Sequence, residues 1–163
     1  MNLDNDQKEL LELFVTQEFR IGALYKLFAK RYPEHNAFWT EMATEEFQHA
    51  ALIKRIAESD TQNMFTFSQG ELRAQSLASS LEYIESIING FKSDKNFSIN
   101  QAVRVSLQIE KGLWERKVFQ CFAGDSEDVK KIMESLDSEQ GIHIQKLDNF
   151  GFQFLDKNRK AAS

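Results

Sequence analysis

The sequence predicts an all-α fold, an antiparallel four-helix bundle in which one long crossover connection carries a short helix. Three observations lead there. One proline, Pro33, and seven glycines in 163 residues leave little material for a turn-rich β architecture. Leu, Ile, Ala, Glu, Lys and Gln, which suit long helices, are abundant. Apolar residues recur at three- and four-residue steps over stretches far longer than a strand. The length suits a single domain, 1–163, able to bury a continuous core without disulfides or a structural metal.

The first helix is expected from Asp4 or Asn5 to Lys30, with Leu11, Phe14, Val15, Ile21, Tyr25 and Phe28 along one stripe, and Pro33 ends it. A second helix follows almost at once, from His35 to Ala57, its stripe formed by Trp39, Met42, Ala43, Ala50, Ile53 and Ile56. So short a link makes the pair an antiparallel hairpin. Between Ser59 and Gly70 the pattern lapses into Ser, Asp, Thr, Gln and Asn. Leu77, Leu81, Ile84, Ile87 and Ile88 then mark the shorter crossover helix, ending near Gly90 and Phe91. Ser98 and Gln101 form a capping box that opens a long helix through Val105, Ile109, Leu113 and Phe119 to about Phe122, and Gly124 stops it. Asp125 or Ser126 can cap the last helix, with Val129, Met133, Leu136, Leu147, Phe150 and Phe154 on its stripe and a fraying tail from Lys157.

Composition narrows the function. A net charge of −5, with acidic and basic residues mixed along the chain, offers no electrostatic footprint for nucleic acid or an anionic membrane. The start, MNLDNDQKELLELF, lacks the basic lead and apolar run of a secretory signal, and no stretch approaches the roughly 20 apolar residues of a membrane span. A cytoplasmic protein is expected. Cys121 is the sole cysteine, so one chain builds neither a disulfide nor a Cys-x-x-Cys site, and its neighbours Val118, Phe119 and Phe122 predict an inert buried thiol.

Polar residues interrupt the apolar stripes at particular heights. Glu18 falls among Phe14, Val15, Ile21 and Gly22, and Glu46 with His49 falls among Met42, Ala43 and Ile53. Downstream, Glu110 sits at the edge of the stripe of Leu107, Leu113 and Trp114, while Gln140 and His143 replace apolar residues between Leu136 and Leu147. A lone Glu at such a border is ordinarily solvated. Four helices each turning a ligand type inward is a different matter, because buried carboxylates require a cation or a hydrogen-bonded partner. A Glu and a His three residues apart share one helix face and can reach one metal, and a Glu from a neighbouring helix can bridge to a second. Oxygen and imidazole donors without thiolate suit iron or manganese. Gln140, or else Glu139, completes the set; Glu139 and His143 also share a face.

Depth agrees. Glu18 and Glu46 each lie about a dozen residues, or roughly 20 Å of helix, from the Pro33 turn, so they meet at one level. Glu110 and Gln140 are matched in the same way around Gly124. The chain also echoes itself: Thr44-Glu45-Glu46-Phe47-Gln48-His49 aligns with Ser138-Glu139-Gln140-Gly141-Ile142-His143. His35, at a helix start and without an inward partner in this scheme, reads as exposed and incidental, Trp39 and Trp114 read as packing, and Tyr25 stands on the Glu18 stripe, where its hydroxyl can bond a ligand carboxylate or relay a radical.

The run Tyr32-Pro33-Glu34-His35 through Phe38-Trp39 to Glu45-Glu46-Phe47-Gln48-His49-Ala50 resembles the first-hairpin signature of the rubrerythrin-type branch of the ferritin-like superfamily. The resemblance spans nearly the whole chain. It implies a four-helix bundle with a dinuclear iron site that reacts with peroxide or dioxygen, ligated by Glu18, Glu46, His49, Glu110 and His143. Gln140 departs from it, standing where that branch has a Glu. A Gln there, with Tyr25 seven residues after Glu18, also resembles the ferroxidase site of true ferritins.

Three functions follow as expectations. The first is a diiron-carboxylate oxidoreductase, a peroxidase or ferroxidase fed by an external electron donor protein because Cys121 alone cannot build a cysteine-ligated iron domain. The second is iron storage by a ferritin-type assembly. The third is a metal-free helical bundle used for protein interaction. The resemblance implies a homodimer, since rubrerythrin-like bundles commonly pair through helix faces, and the large apolar residues Phe65, Phe67 and Phe97 in the connections agree with it.

Overall fold

A computed structural model describes residues 5–59, 65–67, 74–115, 122–124 and 127–161. Among these the fold is helical: α1 (Asn5–Arg31), α2 (Asn36–Ser59), α3 (Ala74–Ser93), α4 (Ile99–Glu115) and α5 (Glu127–Ala161). None of these helices is long and apolar enough to cross a membrane.

α1 and α2 form the expected hairpin. Pro33 begins a 3-10 turn, Pro33–His35, at a position where its missing N–H leaves nothing unpaired. The Asn36 amide donates to the Ala29 carbonyl at 3.0 Å, satisfying an acceptor freed by the end of α1. Contacts between Phe19 and Phe47, and between Tyr25 and Trp39, show the two helices running antiparallel. They approach closely at Gly22, where an added Cβ would stand 2.8 Å from the Phe47 ring and 3.2 Å from the Ala43 carbonyl oxygen. This contact sets the level at which Glu18 and Glu46 face each other.

α3 is shorter than α1, α2 and α5, as expected, and runs slightly past Phe91 to Ser93; it packs as a layer of the bundle beside α1. Arg20 pairs with Glu85, the Phe28 ring meets Phe91 at 4.9 Å, and Arg31 donates to the Asp94 carbonyl while covering the Phe91 ring at 3.5 Å. These contacts advance together along both helices, so α3 runs parallel to α1. The capping box is formed as expected: Gln101 N–H donates to Ser98 Oγ at 3.2 Å and Ser98 N–H donates to Gln101 Oε1 at 2.7 Å.

The helix after that box does not extend to Phe122. Phe122–Gly124 is a strand, β2, paired antiparallel with β1 (Phe65–Phe67), so that Phe65 faces Gly124 and Phe67 faces Phe122. Phe-Thr-Phe has strand propensity, but three residues among polar neighbours give no periodicity to read. The ribbon ties the crossover to the α4–α5 connection. α5 stays helical to Ala161, past the expected fraying point. Phe119, Cys121, Asp125 and Ser126 lie outside the described residues, as do the side chains of Ile56, Phe65, Phe67, Leu113, Trp114, Val129 and Phe154.

α5 is antiparallel to α2, with Trp39 against Phe150 and His49 against Glu139, and antiparallel to α4, with Val103 beside Gly151 and Glu110 beside Gln140. Thus α1 and α5 run one way and α2 and α4 the other. The stripes read from sequence form the core, in which Phe14, Ile21, Phe28, Met42, Ile53, Leu77, Ile84, Leu136 and Leu147 are fully buried. Phe97, partly buried, packs against this core, stacked 6.2 Å from Phe28 and edge-on 5.2 Å from Phe91, so its ring is occupied within the chain.

Gly22→Val tests the close approach. The branched side chain forces Phe47 and the α2 backbone outward, and stability should fall by about 2 kcal/mol despite Val's better helix propensity than Gly. Urea unfolding measures it; an unchanged midpoint would show that the two helices are not held together at this point.

Candidate metal centre

Each helix of the two hairpins delivers its polar residues to one depth. Glu18 comes from α1, Glu46 and His49 from α2, Glu110 from α4, and Gln140 and His143 from α5, and all six are buried. Glu46 lies in the middle. Its Oε2 is 3.5 Å from His49 Nδ1 and its Oε1 is 2.8 Å from His143 Nδ1. Glu18 Oε2 approaches His49 Nδ1 from the other side at 3.6 Å, and Glu110 Oε2 approaches His143 Nδ1 at 3.8 Å. The two imidazoles lie 5.3 Å apart, 24° from parallel. The group divides into two halves, Glu18 with His49 and Glu110 with His143, that share Glu46. Ligand atoms of Glu46, His49 and His143 all fall within 4.8 Å of one another.

The outer nitrogens are equally ordered. His49 Nε2 donates to Glu139 Oε2 at 2.6 Å, and His143 Nε2 donates to Glu45 Oε2 at 3.0 Å. Each histidine of one Glu-x-x-His-like segment is therefore held by the residue before the inward position of the other segment. Such a bond fixes the ring and leaves Nδ1 aimed inward. Glu139 is turned to this outer place, with its side chain 44% exposed, and Gln140 is the residue that points inside. Gln140 Nε2 donates to Glu110 Oε2. Tyr25, fully buried, donates from its hydroxyl to Glu110 Oε1 at 2.5 Å. Lys146 donates to Glu45 at 2.6 Å and to Glu41 at 2.6 Å, holding Glu45 from outside, whereas Glu139 receives, besides His49, the Ser135 hydroxyl at 3.1 Å.

Sequence reasoning named Glu18, Glu46, His49, Glu110 and His143, all of them buried, left the sixth position open between Gln140 and Glu139, and missed Glu45. Its signal was present: Glu45 and Glu139 occupy matching places in the internal echo. His35, expected to be exposed, is half-buried with its ring edge on Phe150 at 5.3 Å.

Burial sets the electrostatics. It pushes the Glu18 carboxyl up to about 8, against the pull of His49. Glu110 is also raised by burial and by Glu46, and Tyr25 is raised well above the ordinary phenol range by burial and Glu110. Burial alone would raise Glu46, but the facing imidazoles of His143 and His49 outweigh it and hold the carboxyl below its usual range. The facing carboxylates, Glu46 with Glu18 and Glu110, in turn overcome burial at the histidines, lifting His49 to about 11 and His143 to about 10.

The donor set contains a group, Glu46, His49 and His143, that could hold a metal ion. Both Glu18 oxygens, Glu46 Oε1 and both Nδ1 atoms are buried without a geometrically formed hydrogen bond among the described residues. Three carboxylates and two imidazoles are oxygen and nitrogen donors, suited to iron or manganese. Comparison of the chain with models of known families, with curated proteins and with solved structures found no match. The functional reading therefore rests on these side chains.

A metal ion bound here would compete with protons. With the His49, His143 and Glu18 values raised, uptake near pH 7 should release on the order of three protons per chain, and apparent affinity should rise steeply between pH 6 and 8. The metal-free fold behaves oppositely. Its histidine pKa values lie above the unfolded value, so their contribution is full below pH 6.5 and is lost as pH rises through about 10 to 11; that of Glu18 is full below 4.5 and lost through about 8. Calorimetry of Fe(II) binding in buffers of different ionisation enthalpy counts the protons, and binding that is independent of pH would contradict this assignment.

Proposed function

We propose that this chain is a ferritin-like, rubrerythrin-type protein that holds two iron ions between its helices and acts as an oxidoreductase toward peroxide or dioxygen, with electrons from an external donor. The observation that carries the reading is Glu46, whose two oxygens face the two histidines, each backed by its own carboxylate. The helix directions support it: two antiparallel hairpins joined by one long crossover match the layout of bundles that carry such centres.

Glu18, His49 and Glu46 would hold one ion, and Glu110, His143 and Glu46 the other. The chemistry such a pair supplies when bound is two-electron transfer to peroxide or dioxygen, with the ions passing between divalent and trivalent states. Glu139 and Glu45 keep the imidazoles in one tautomer and orientation. Tyr25 fixes Glu110. Burial of the whole group excludes bulk water and strengthens every one of these interactions. Manganese suits the same donors. A homodimer in a cytoplasmic setting completes the proposal.

A ferritin-type ferroxidase feeding storage is the second reading, favoured by Gln140 beside Glu110 and by the Tyr25 bond. Storage needs a closed shell of many subunits, which light scattering would reveal.

Protein grown with iron should carry close to two ions per chain. Glu46→Ala should lose both, since Glu46 faces both halves, while His49→Ala should lose chiefly the ion beside Glu18. Failure to find transition metal, together with no uptake on anaerobic Fe(II) titration, would sink the proposal.

Gln140→Glu should act in opposite directions on the two forms. Without metal it replaces a donor to Glu110 by a second carboxylate, and stability should fall by about 1–3 kcal/mol. With metal it adds a ligand charge and should tighten the weaker of two binding steps. Equal filling of both positions in the parent would remove the asymmetry, and a more stable metal-free Gln140→Glu chain would show that the amide is not needed as a donor.

A further inference from the structure

α3 packs on one flank of α1 and α5 on one flank of α2. On the outer face between those flanks the Phe19 ring is 53% exposed and lies 5.2 Å from the ring of half-buried Phe47. Beside them on α2, Thr40, Thr44, Gln48 and Ala51 are exposed and uncharged. Such a strip loses little on leaving water, and covering the aromatic pair gains. The other large apolar side chains at the surface stand apart. Tyr83 is bonded to Gln108, and Ile142 and Phe152 share their strip of α5 with exposed Gln145 and Asn149.

The residues around Phe19 are arranged symmetrically about it. Glu12 stands seven residues before it and Lys26 seven after, both exposed. Val15 stands four before and Ala23 four after, both half-buried. Seven residues is close to two full turns, so all five lie along one strip of α1, with Glu12 and Lys26 displaced to opposite sides of its midline. A half-turn about an axis through Phe19 lays the strip antiparallel on a copy of itself. Glu12 then meets Lys26 of the other copy and Val15 meets Ala23, so opposite charges face and a larger apolar side chain packs on a smaller one. That self-complementarity is what a twofold interface requires.

We propose that two copies of this chain pair through the outer face of the α1–α2 hairpin, with α1 crossing its counterpart antiparallel at Phe19. Phe19 supplies the central aromatic anchor, and the Glu12 and Lys26 charges at the rim set the register. Two helices of this length present a face roughly 40 Å by 20 Å, so about 800 Å² is available to each copy, the size of a standard stable interface. Phe19 and Phe47 directly follow Glu18 and Glu46 in the chain, and pairing here puts a further layer between those carboxylates and water. The inference rests on the homodimer proposed above, to which it gives a surface, and it does not depend on metal.

Sedimentation analysis of the full-length chain tests it. The parent should be a dimer that loosens as salt is raised. Phe19→Lys sets two like charges at the axis and should weaken association by roughly 100-fold or more. Glu12→Lys and Lys26→Glu should each weaken it by roughly ten-fold. The double variant Glu12→Lys/Lys26→Glu should return to within a few-fold of the parent, and so should an equimolar mixture of the two single variants. Within one chain these positions lie about 21 Å apart along α1, so an internal role cannot produce that rescue. All three positions are exposed, and circular dichroism checks that each variant is folded. The pairing is overturned if Phe19→Lys associates as tightly as the parent, or if the double variant stays as weak as either single one. A tight dimer indifferent to every substitution would keep the homodimer and refute this face. A monomeric parent would end both and leave the face to a partner of different sequence.

Discussion

The Glu46 carboxylate is buried between two imidazoles, and the polar interior of the bundle is arranged around that single negative charge. An ionised carboxylate in an apolar core is expensive unless positive charge stands against it. In the metal-free chain the histidines provide that charge by holding protons to well above neutral pH. Glu18, more remote from positive charge, stays neutral instead. On the metal reading the same atoms would be balanced by ions in place of protons, and His49, His143 and Glu18 would first have to give up theirs, while Glu46 is already ionised.

Such a balance tolerates little slippage between helices, and the architecture shows how the level is kept. Pro33 and Asn36 make the α1–α2 turn short, and the absence of a side chain at Gly22 lets Phe47 and the α2 backbone close upon α1. The second hairpin is held by reciprocal bonds across the bundle, Glu139 to His49 and Glu45 to His143. A shift of α5 by one residue would break both bonds at once. α3 adds a further restraint on α1 through Arg20, Arg31 and the Phe28–Phe91 contact.

What was legible in the sequence follows from how the physics is written there. Glu18, Glu46, His49, Glu110, Gln140 and His143 stand out because charged or amide groups on apolar helical stripes contradict their surroundings. Their common depth could be counted from the turns, since helical rise is constant. Glu45 escaped notice because it sits at a helix border, where a carboxylate is ordinarily solvated; only its partner across the bundle gives it meaning. Glu139 was weighed as a ligand for the same lack of information, since spacing alone cannot say which of two adjacent residues turns inward. The β1–β2 pairing depends on two segments far apart in sequence, and nothing local announces it. Gln17, fully buried beside Glu18 with its amide unpartnered among the described residues, has no local signal at all.

The internal echo is nearly symmetric in the outer carboxylates and the histidines and breaks at one inner position, Glu46 against Gln140. A glutamate at 140 would have put a fourth carboxylate into a space where two imidazolium ions already balance three, one of them held neutral by its surroundings. Like charges in so dry a place repel strongly, and the metal-free chain would then depend on bound ions to remain folded. An amide resolves this differently. Its N–H satisfies Glu110, which Tyr25 also satisfies, so the half of the centre around His143 is hydrogen-bonded without any ion. The Glu18 half lacks comparable donors: both its oxygens remain without a formed hydrogen bond among the described residues. The break in symmetry therefore divides the labour, leaving one half closed by its own hydrogen bonds and the other with buried oxygens that a cation would satisfy best.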